Sequence, residues 1–316
     1  MKKMFECLIG NYSSGDEYTK RMRFHQGWWR TFVLAREKGK HPKRDNEKIC
    51  NTIEYSETDP DNFLNENILN AIKETINERE KHKAGIFLEN ENSRKRFYSN
   101  LLSSQPLVFN FFGELKMDTE LAGRVFAALY AEDIKITGVD WIKFEWAPEN
   151  DYLKDHSAFD VAIKVRSGDK KGLIGFECKY TDDFSYRRQE KDKNGEIIYY
   201  GAENCKNHTK YKHYFNESTE HFIKNYDYYI MDKSLNQLFR NELIAKSLQV
   251  EEDYHYVRTG LFCYEKDKKG IEAAEKMQNA LHNGNKAFKV LTYFEFITTM
   301  QKLTLVQDQR ELTMKL

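Results

Sequence analysis

Three side chains near the middle of the chain have types and spacing that could do chemistry together: Asp160 and, seventeen residues later, Glu177 and Lys179. Side chains alternate across a β-strand, so in "GLIGFECKY" (172–180) Ile174, Phe176, Cys178 and Tyr180 share one face, and Gly175, Glu177 and Lys179 the other. In the preceding "SAFDVAIKVR" (157–166), Val161, Ile163 and Val165 face one way and Asp160, Ala162 and Lys164 the other. A hairpin through "SGDKKG" sets Asp160 beside Glu177, with Lys179 adjacent and Gly175 leaving room for a ligand. Two carboxylates in a partly dry site repel unless a cation neutralises them. Hard oxygen ligands of this kind suit Mg²⁺, with Mn²⁺ as a substitute, held by one or two carboxylates plus substrate phosphate. The ion lowers the pKa of a bound water and steadies charge at phosphorus, and the lysine adds a second cation or a proton carrier. The chemistry implied is hydrolysis of a phosphodiester.

The elements that must position these residues are legible in part. "NFLNENILNAIKETINERE" places Leu64, Ile68, Ile72 and Ile76 on one helical face, and "KRMRFHQGWWRTFVLAREKGK" reads as a helix ending at Gly39, with Trp28, Trp29 and Arg30 packing it onto the core. Residues 40–60 read as a connecting loop. After the apolar "SQPLVFNFFGEL", the stretch "DTELAGRVFAALYAED" predicts a core helix capped by Asp118, with Leu121, Val125 and Leu129 on one stripe. Strands are predicted at 138–146, 157–166 and 171–180, then a long polar, tyrosine-rich insertion over about 181–233. "KSLNQLFRNELIAKSLQ" (233–249) predicts an amphipathic helix burying Leu235, Leu238, Leu243 and Ile244. A strand in "DYHYVRTGLFCYEKD", a helix closed by Gly284, a strand in "KAFKVLTYF" and a last helix follow. The order predicts an α/β protein with a mixed sheet: residues 1–103 form an N-terminal helical region packed on a core spanning 104–316.

Asp160 followed by Glu177-Cys178-Lys179, on adjacent strands after a core helix, resembles the PD-(D/E)xK motif of restriction-endonuclease-like nucleases. The resemblance covers roughly residues 104–292, and "SQPLVFNFFGEL", "SAFDVAIKV", "GFECKYTDDFS" and "QLFRNELIAKSL" are similar to segments of a bacterial group of restriction endonucleases. Phe159 stands where the motif's name has proline. The resemblance implies a restriction-endonuclease-like mixed sheet flanked by helices, with Asp160 and Glu177 as metal ligands, the Cys178 carbonyl as a third oxygen, and Lys179 assisting the water. It also implies DNA as partner and a role in restriction or defence. A structure-specific or RNA-directed nuclease, and a catalytically silent binding module, are the alternatives, and a homodimer is left open.

Superfamily members often carry an acid on the helix before the sheet, and Glu120 or Glu114 could fill that place; Glu120 equally suits a first turn favoured by the helix dipole. Gln237 and Arg240, three apart on one helix, share a face that could reach the phosphate or the water. Arg187, Arg188 and Lys191 interleave with tyrosines in the insertion, a pattern suited to nucleic acid. Cys205, His208, His213 and His221 have spacings loosely like those of zinc ligands but fit no standard pattern. Charge is balanced at 50 basic against 50 acidic residues, so attraction for a polyanion must come from local patches. Five scattered cysteines without a CxxC pair suit a reducing compartment; with no apolar run long enough for a membrane span and no convincing signal peptide, the cytoplasm is the expected location. Phosphate-binding glycine loops, GxSxG and HExxH are absent from the sequence, so P-loop, serine hydrolase and zinc protease chemistry lack support.

Overall fold

A computed structural model of the chain describes residues 8–41, 44–58, 60–82, 88, 90–184, 189–191, 194, 197–199 and 208–303. At its centre is a five-stranded mixed sheet in the order β3-β4-β5-β8-β9. Strands β3 (Gly138–Trp146), β4 (Phe159–Ser167) and β5 (Lys170–Lys179) form the expected antiparallel meander, and β8 (Tyr256–Cys263) and β9 (Phe288–Thr292) add in parallel. Gly168, with φ of +59°, makes the tight β4–β5 turn, a left-handed position that costs glycine little.

One face of the sheet packs on α4 (Ser104–Met117) and α5 (Thr119–Leu129). Asp118 caps α5 by accepting from the Leu121 N–H at 2.9 Å, and Leu121, Val125 and Leu129 are buried, as the stripe predicts. The apolar stretch before it is itself a helix, α4, whose apolar residues do not form a single stripe because it is covered on several sides. Phe109 stacks on Phe144 of the sheet (4.0 Å between centroids), while a Cβ at Gly113 would lie 3.1 Å from Ile68 of α2 (Glu66–His82). A helix buried all round shows no polar face.

The N-terminal region contributes α1 (Glu17–Trp28), the short hairpin β1 (Lys40–His41) and β2 (Arg44–Lys48), α2 and α3 (Glu91–Ser99). Ile68, Ala71, Ile72, Phe97 and Tyr98 lie in the same apolar cluster as α4 and the sheet. Three expectations for this region fail in whole or in part. The first helix does not run to Gly39 but passes at Trp29–Val33 into a π turn and ends before Ala35, whose φ is +52°. Of the residues expected to pack this layer, Arg30 is buried and donates to the carbonyls of Ile9, Arg36 and Cys50, while Trp28 is exposed. The supposed loop 40–60 contains the β1–β2 hairpin.

The other face of the sheet is covered by α8 (Asn236–Glu251), in which Leu235 (its N-cap), Leu238, Leu243 and Ile244 are buried as expected. The second half of the supposed insertion belongs to this core. After β6 (Gln189–Lys191) and β7 (Ile197–Tyr199), helices α6 (His208–Asn216) and α7 (Tyr226–Ile230) bury Tyr211, Tyr214, Tyr226 and Tyr229 around Phe239 of α8. Aromatic side chains supply large apolar area with a polar tip, so a tyrosine-rich stretch reads as polar while packing as core. The helix α9 (Lys268–Gln278) ends before Gly284, which starts the short α10 (Gly284–Ala287), and α11 (Tyr293–Leu303) closes the described chain. No helix among the described residues is long and apolar enough to cross a membrane.

Candidate active site

The β4–β5 ladder holds from Ser167↔Lys170 to Val161↔Phe176 and then changes. Where Asp160 would face Glu177, the Cys178 N–H donates to Asp160 Oδ2 at 2.6 Å, so a carboxylate joins the two strands. Ile174, Phe176, Cys178 and Tyr180 lie in the α4-side core, and Leu173 in the opposite one, which leaves Glu177 and Lys179 on the α8 face. Gly175 is not an open approach: the Phe159 ring fills the space, 2.5 Å from where its Cβ would be.

Glu177 and Lys179 are only 2 % and 6 % exposed, and each is fully engaged. Lys179 Nζ donates to Glu177 Oε1 at 2.9 Å and to Gln237 Oε1 at 3.1 Å; Gln237 Nε2 donates to Glu177 Oε1 at 2.6 Å. The second carboxylate oxygen accepts from Asn241 Nδ2 at 3.2 Å. The end of β5 is held by two tyrosines, Tyr293 donating to the Lys179 carbonyl at 2.6 Å and Tyr18 of α1 to the Tyr180 carbonyl at 2.7 Å. The N-terminal layer and α11 thus both set the reach of Lys179.

The helix α8 explains why Gln237 joins the site and Arg240 does not. At about 100° per residue, Asn241 lies roughly 40° from Gln237 on one side and Arg240 roughly 60° on the other. Asn241 therefore joins Gln237 on Glu177, while Arg240, 4 % exposed, donates to Ser157 Oγ at 2.7 Å and pairs with Asp155 at 3.5 Å. The guanidinium anchors the segment leading into β4 instead of facing a nucleic acid. Asn241 was legible as the i+4 partner of Gln237, but it became a candidate only once the contact with Glu177 was seen.

Glu120 is exposed in the first turn of α5. One turn on, Gly123 packs against Gly138, at the opposite end of β3 from the site. Glu114 accepts from Asn67 instead. The acid that borders Asp160 is Glu145 of β3, bracketed by the pairs Phe144↔Val161 and Trp146↔Phe159. Its φ of +48° is strained for a side chain with a Cβ, of order 1–3 kcal/mol, a cost that concentrates at functional sites. Gln105 of α4 donates to Glu145 Oε1 at 2.6 Å. Nothing in the local sequence marks this residue, because its role depends on the β3–β4 register.

The electrostatics follow from this crowding. Burial first, then the charges of Glu177 and Glu145, push the half-buried Asp160 carboxyl well above the ordinary aspartate range. Burial works against the Lys179 ammonium, but the Glu177 and Asp160 carboxylates outweigh it and hold its pKa above the usual lysine value. Such a site favours an added cation. Among the described residues no three Asp, Glu, His or Cys side chains converge where an ion could be held. Two carboxylates with water and substrate oxygens are the kind of set that holds Mg²⁺, and Asp160 and Glu177 are two carboxylates close enough for the charge of one to act on the other.

Arg187, Arg188 and Cys205 lie outside the described residues, and of Lys191 and His208 only the backbone, in β6 and α6, is described. His213 is exposed beside Tyr214, and His221 Nε2 lies 2.7 Å from Glu242 Oε2, so the described histidines are not gathered around an ion.

A family model for the PD-(D/E)XK nuclease superfamily matches residues 13–316, almost the whole chain. The chain belongs to the PD-(D/E)XK nuclease superfamily. No curated protein and no solved structure gives a match. In this PD-(D/E)XK protein the fold is the expected one, a mixed sheet flanked by helices with N-terminal helices packed against it. The family match extends through the N-terminal layer, beyond the segment over which the motif resemblance was legible. Superfamily membership makes nucleic acid the expected substrate and a divalent ion the usual cofactor.

Proposed function

We propose that this protein is a Mg²⁺-dependent endodeoxyribonuclease that hydrolyses phosphodiester bonds in foreign DNA, acting in the cytoplasm as part of restriction or defence. The observation that carries the reading is the buried Lys179 ammonium, held by Glu177 and Gln237 on the strand beside Asp160. Asp160 and Glu177 would hold the ion, which when bound supplies charge neutralisation at phosphorus and an acidified water.

The chain's own residues divide the remaining work. Gln237 and Asn241 fix both oxygens of Glu177, so the carboxylate meets its ligand in one orientation. Lys179 carries a movable proton at Nζ. Its pKa is held up by the two carboxylates, so neutralising them leaves burial as the stronger influence and eases proton release. Glu145, bordering Asp160, adds to the negative field that attracts the cation. The Phe184 ring, its centroid 5.2 Å from Lys179 Nζ, limits water at the ammonium.

The test is conversion of supercoiled plasmid to nicked or linear product with Mg²⁺ or Mn²⁺, against an EDTA control, with single-stranded DNA, branched DNA and RNA in parallel. Wild-type protein should cut DNA, and Lys179→Ala and Asp160→Ala should abolish cutting while retaining the fold by circular dichroism. Normal cutting by both variants would remove the assignment.

A further inference from the structure

With Arg240 turned inward, the surface that carries the substrate to the site must be sought elsewhere. A cleft of about 570 Å³ opens in the N-terminal layer between α1, the β1–β2 hairpin and the C-terminal part of α3. Its described lining carries the cations Arg23, Lys48 and Arg96 against the single carboxylate Glu47, in a chain whose overall charge is zero. Asn51 and Asn100 also line it. Local excess of positive charge in a concave surface attracts polyanions even when the molecule is neutral.

The arrangement is built from the inside. Asn51, only 2 % exposed, accepts from Arg23 Nη1 at 2.6 Å and donates to Asn100 Oδ1 at 2.8 Å, while Arg23 Nε donates to the Ser14 carbonyl at 3.2 Å. A buried amide thus orients a guanidinium whose fork matches phosphate geometry. Arg96 ties the cleft to the segment that follows β5. It pairs at 2.9 Å with Asp182, three residues beyond Lys179, and Asp182 in turn accepts from the Ser104 N–H and hydroxyl that start α4. Asp182 also lines a second cleft, of about 750 Å³, together with Tyr180 and Phe184, whose ring centroid is 5.2 Å from the Lys179 ammonium. The two clefts adjoin at the Arg96–Asp182 pair.

We propose that the Arg23–Lys48–Arg96 cleft binds the sugar-phosphate backbone of the nucleic acid on its way to Lys179. The inference rests on the nuclease reading for the identity of the ligand and gives the N-terminal layer the task of holding the strand outside the reaction centre. Phosphate contacts from Arg and Lys supply sequence-independent affinity and place the strand in register.

The experiment measures fluorescence anisotropy of 5′-labelled single-stranded DNA, duplex DNA and single-stranded RNA with full-length Lys179→Ala protein in EDTA, over a range of NaCl. Introducing Lys48→Ala or Arg23→Ala should weaken binding and reduce the slope of log affinity against log salt by about 0.7 to 0.9 for each phosphate contact removed. Lys48 is exposed, so its replacement tests the surface without disturbing the fold, and Arg23→Lys, which keeps the charge but not the fork, should restore the salt slope and only part of the affinity lost in Arg23→Ala. Lys73→Glu on α2, outside the cleft lining, is the control and should leave the slope unchanged. Cleft variants matching this control would overturn the proposal, as would inorganic phosphate binding at the cleft with polymer affinity unaltered. Hydrolysis of supercoiled plasmid to nicked or linear product by the wild-type protein with Mn²⁺ tests the nuclease reading separately. Cleft-dependent binding without that hydrolysis would sink the enzyme and leave the strand-holding surface standing.

Discussion

If Lys179 and Glu177 are a buried pair, replacing the lysine must cost far more while the carboxylate is present than after it has been removed. Lys179 Nζ lies 2.9 Å from Glu177 Oε1, with side-chain exposures of 8 % and 2 %. Breaking such a pair from one side strands a charge and typically costs about 3–5 kcal/mol. In Lys179→Met the apolar stem is roughly conserved, and Glu177 keeps donors from Gln237 and Asn241, which puts the expected loss near the low end, about 3 kcal/mol. At roughly 2 °C per kcal/mol for a chain of this size, Tm should fall by about 6 °C. In a Glu177→Gln background the same Lys179→Met change leaves no stranded carboxylate at that position, and its cost should drop to about 1 kcal/mol, a coupling of about 2 kcal/mol. Urea denaturation of the four proteins in EDTA, followed by tryptophan fluorescence, reads the cycle without needing activity. Equal costs of Lys179→Met in both backgrounds, within about 0.5 kcal/mol, would refute the pair and the charge balance built on it.

The crowding at Asp160 has a pH signature. An unfolded aspartate titrates near 3.9, and Asp160 in the folded protein titrates well above that, so between the two values the folded state holds more protons and metal-free stability falls as pH rises. Asp160→Asn keeps an acceptor for the Cys178 N–H and removes the charge, and should raise Tm in EDTA at pH 7.5, with the gain shrinking as pH is lowered; a lower Tm at pH 7.5 would contradict the argument. Gly175→Ala drives a Cβ into the Phe159 ring, which stacks on Trp146, and should cost about 1–3 kcal/mol by urea midpoint, partly recovered by adding Phe159→Leu. A neutral Gly175→Ala would show that the space is open after all. Arg240→Met strands Asp155, which still accepts from Ser157 and Tyr211, and should lower stability by about 3 kcal/mol while leaving the salt dependence of nucleic-acid binding unchanged; a changed slope would return Arg240 to the binding surface.

Much of the site was legible because it depends on short-range periodicity. The alternation in β5 separates Glu177 and Lys179 from the apolar Ile174, Phe176 and Cys178, and a tight turn at Gly168 brings β4 alongside, so the motif could be read before any coordinates. Gln237 and Asp118 were likewise visible, one on an amphipathic helix and one as an N-cap. The misses share a cause. The helix α4 lacks a polar stripe because it is covered by α2 on one side and the sheet on another, and the tyrosines of α6 and α7 look polar until Phe239 buries them.

By itself, the order of residues determined the strand pairing around the motif and the face that Glu177 and Lys179 take, since both follow from a period of two and a tight turn. The class of chemistry came from the types of these residues and their resemblance to the PD-(D/E)xK motif. Only the tertiary structure decided that Glu145 and not Glu120 borders Asp160, that Asn241 and not Arg240 meets Glu177, and that Phe159 fills the space beside Gly175. Those choices depend on the register between β3 and β4 and on the rotation of α8 against the sheet, and both are fixed by contacts between segments far apart in the chain, which no local pattern encodes.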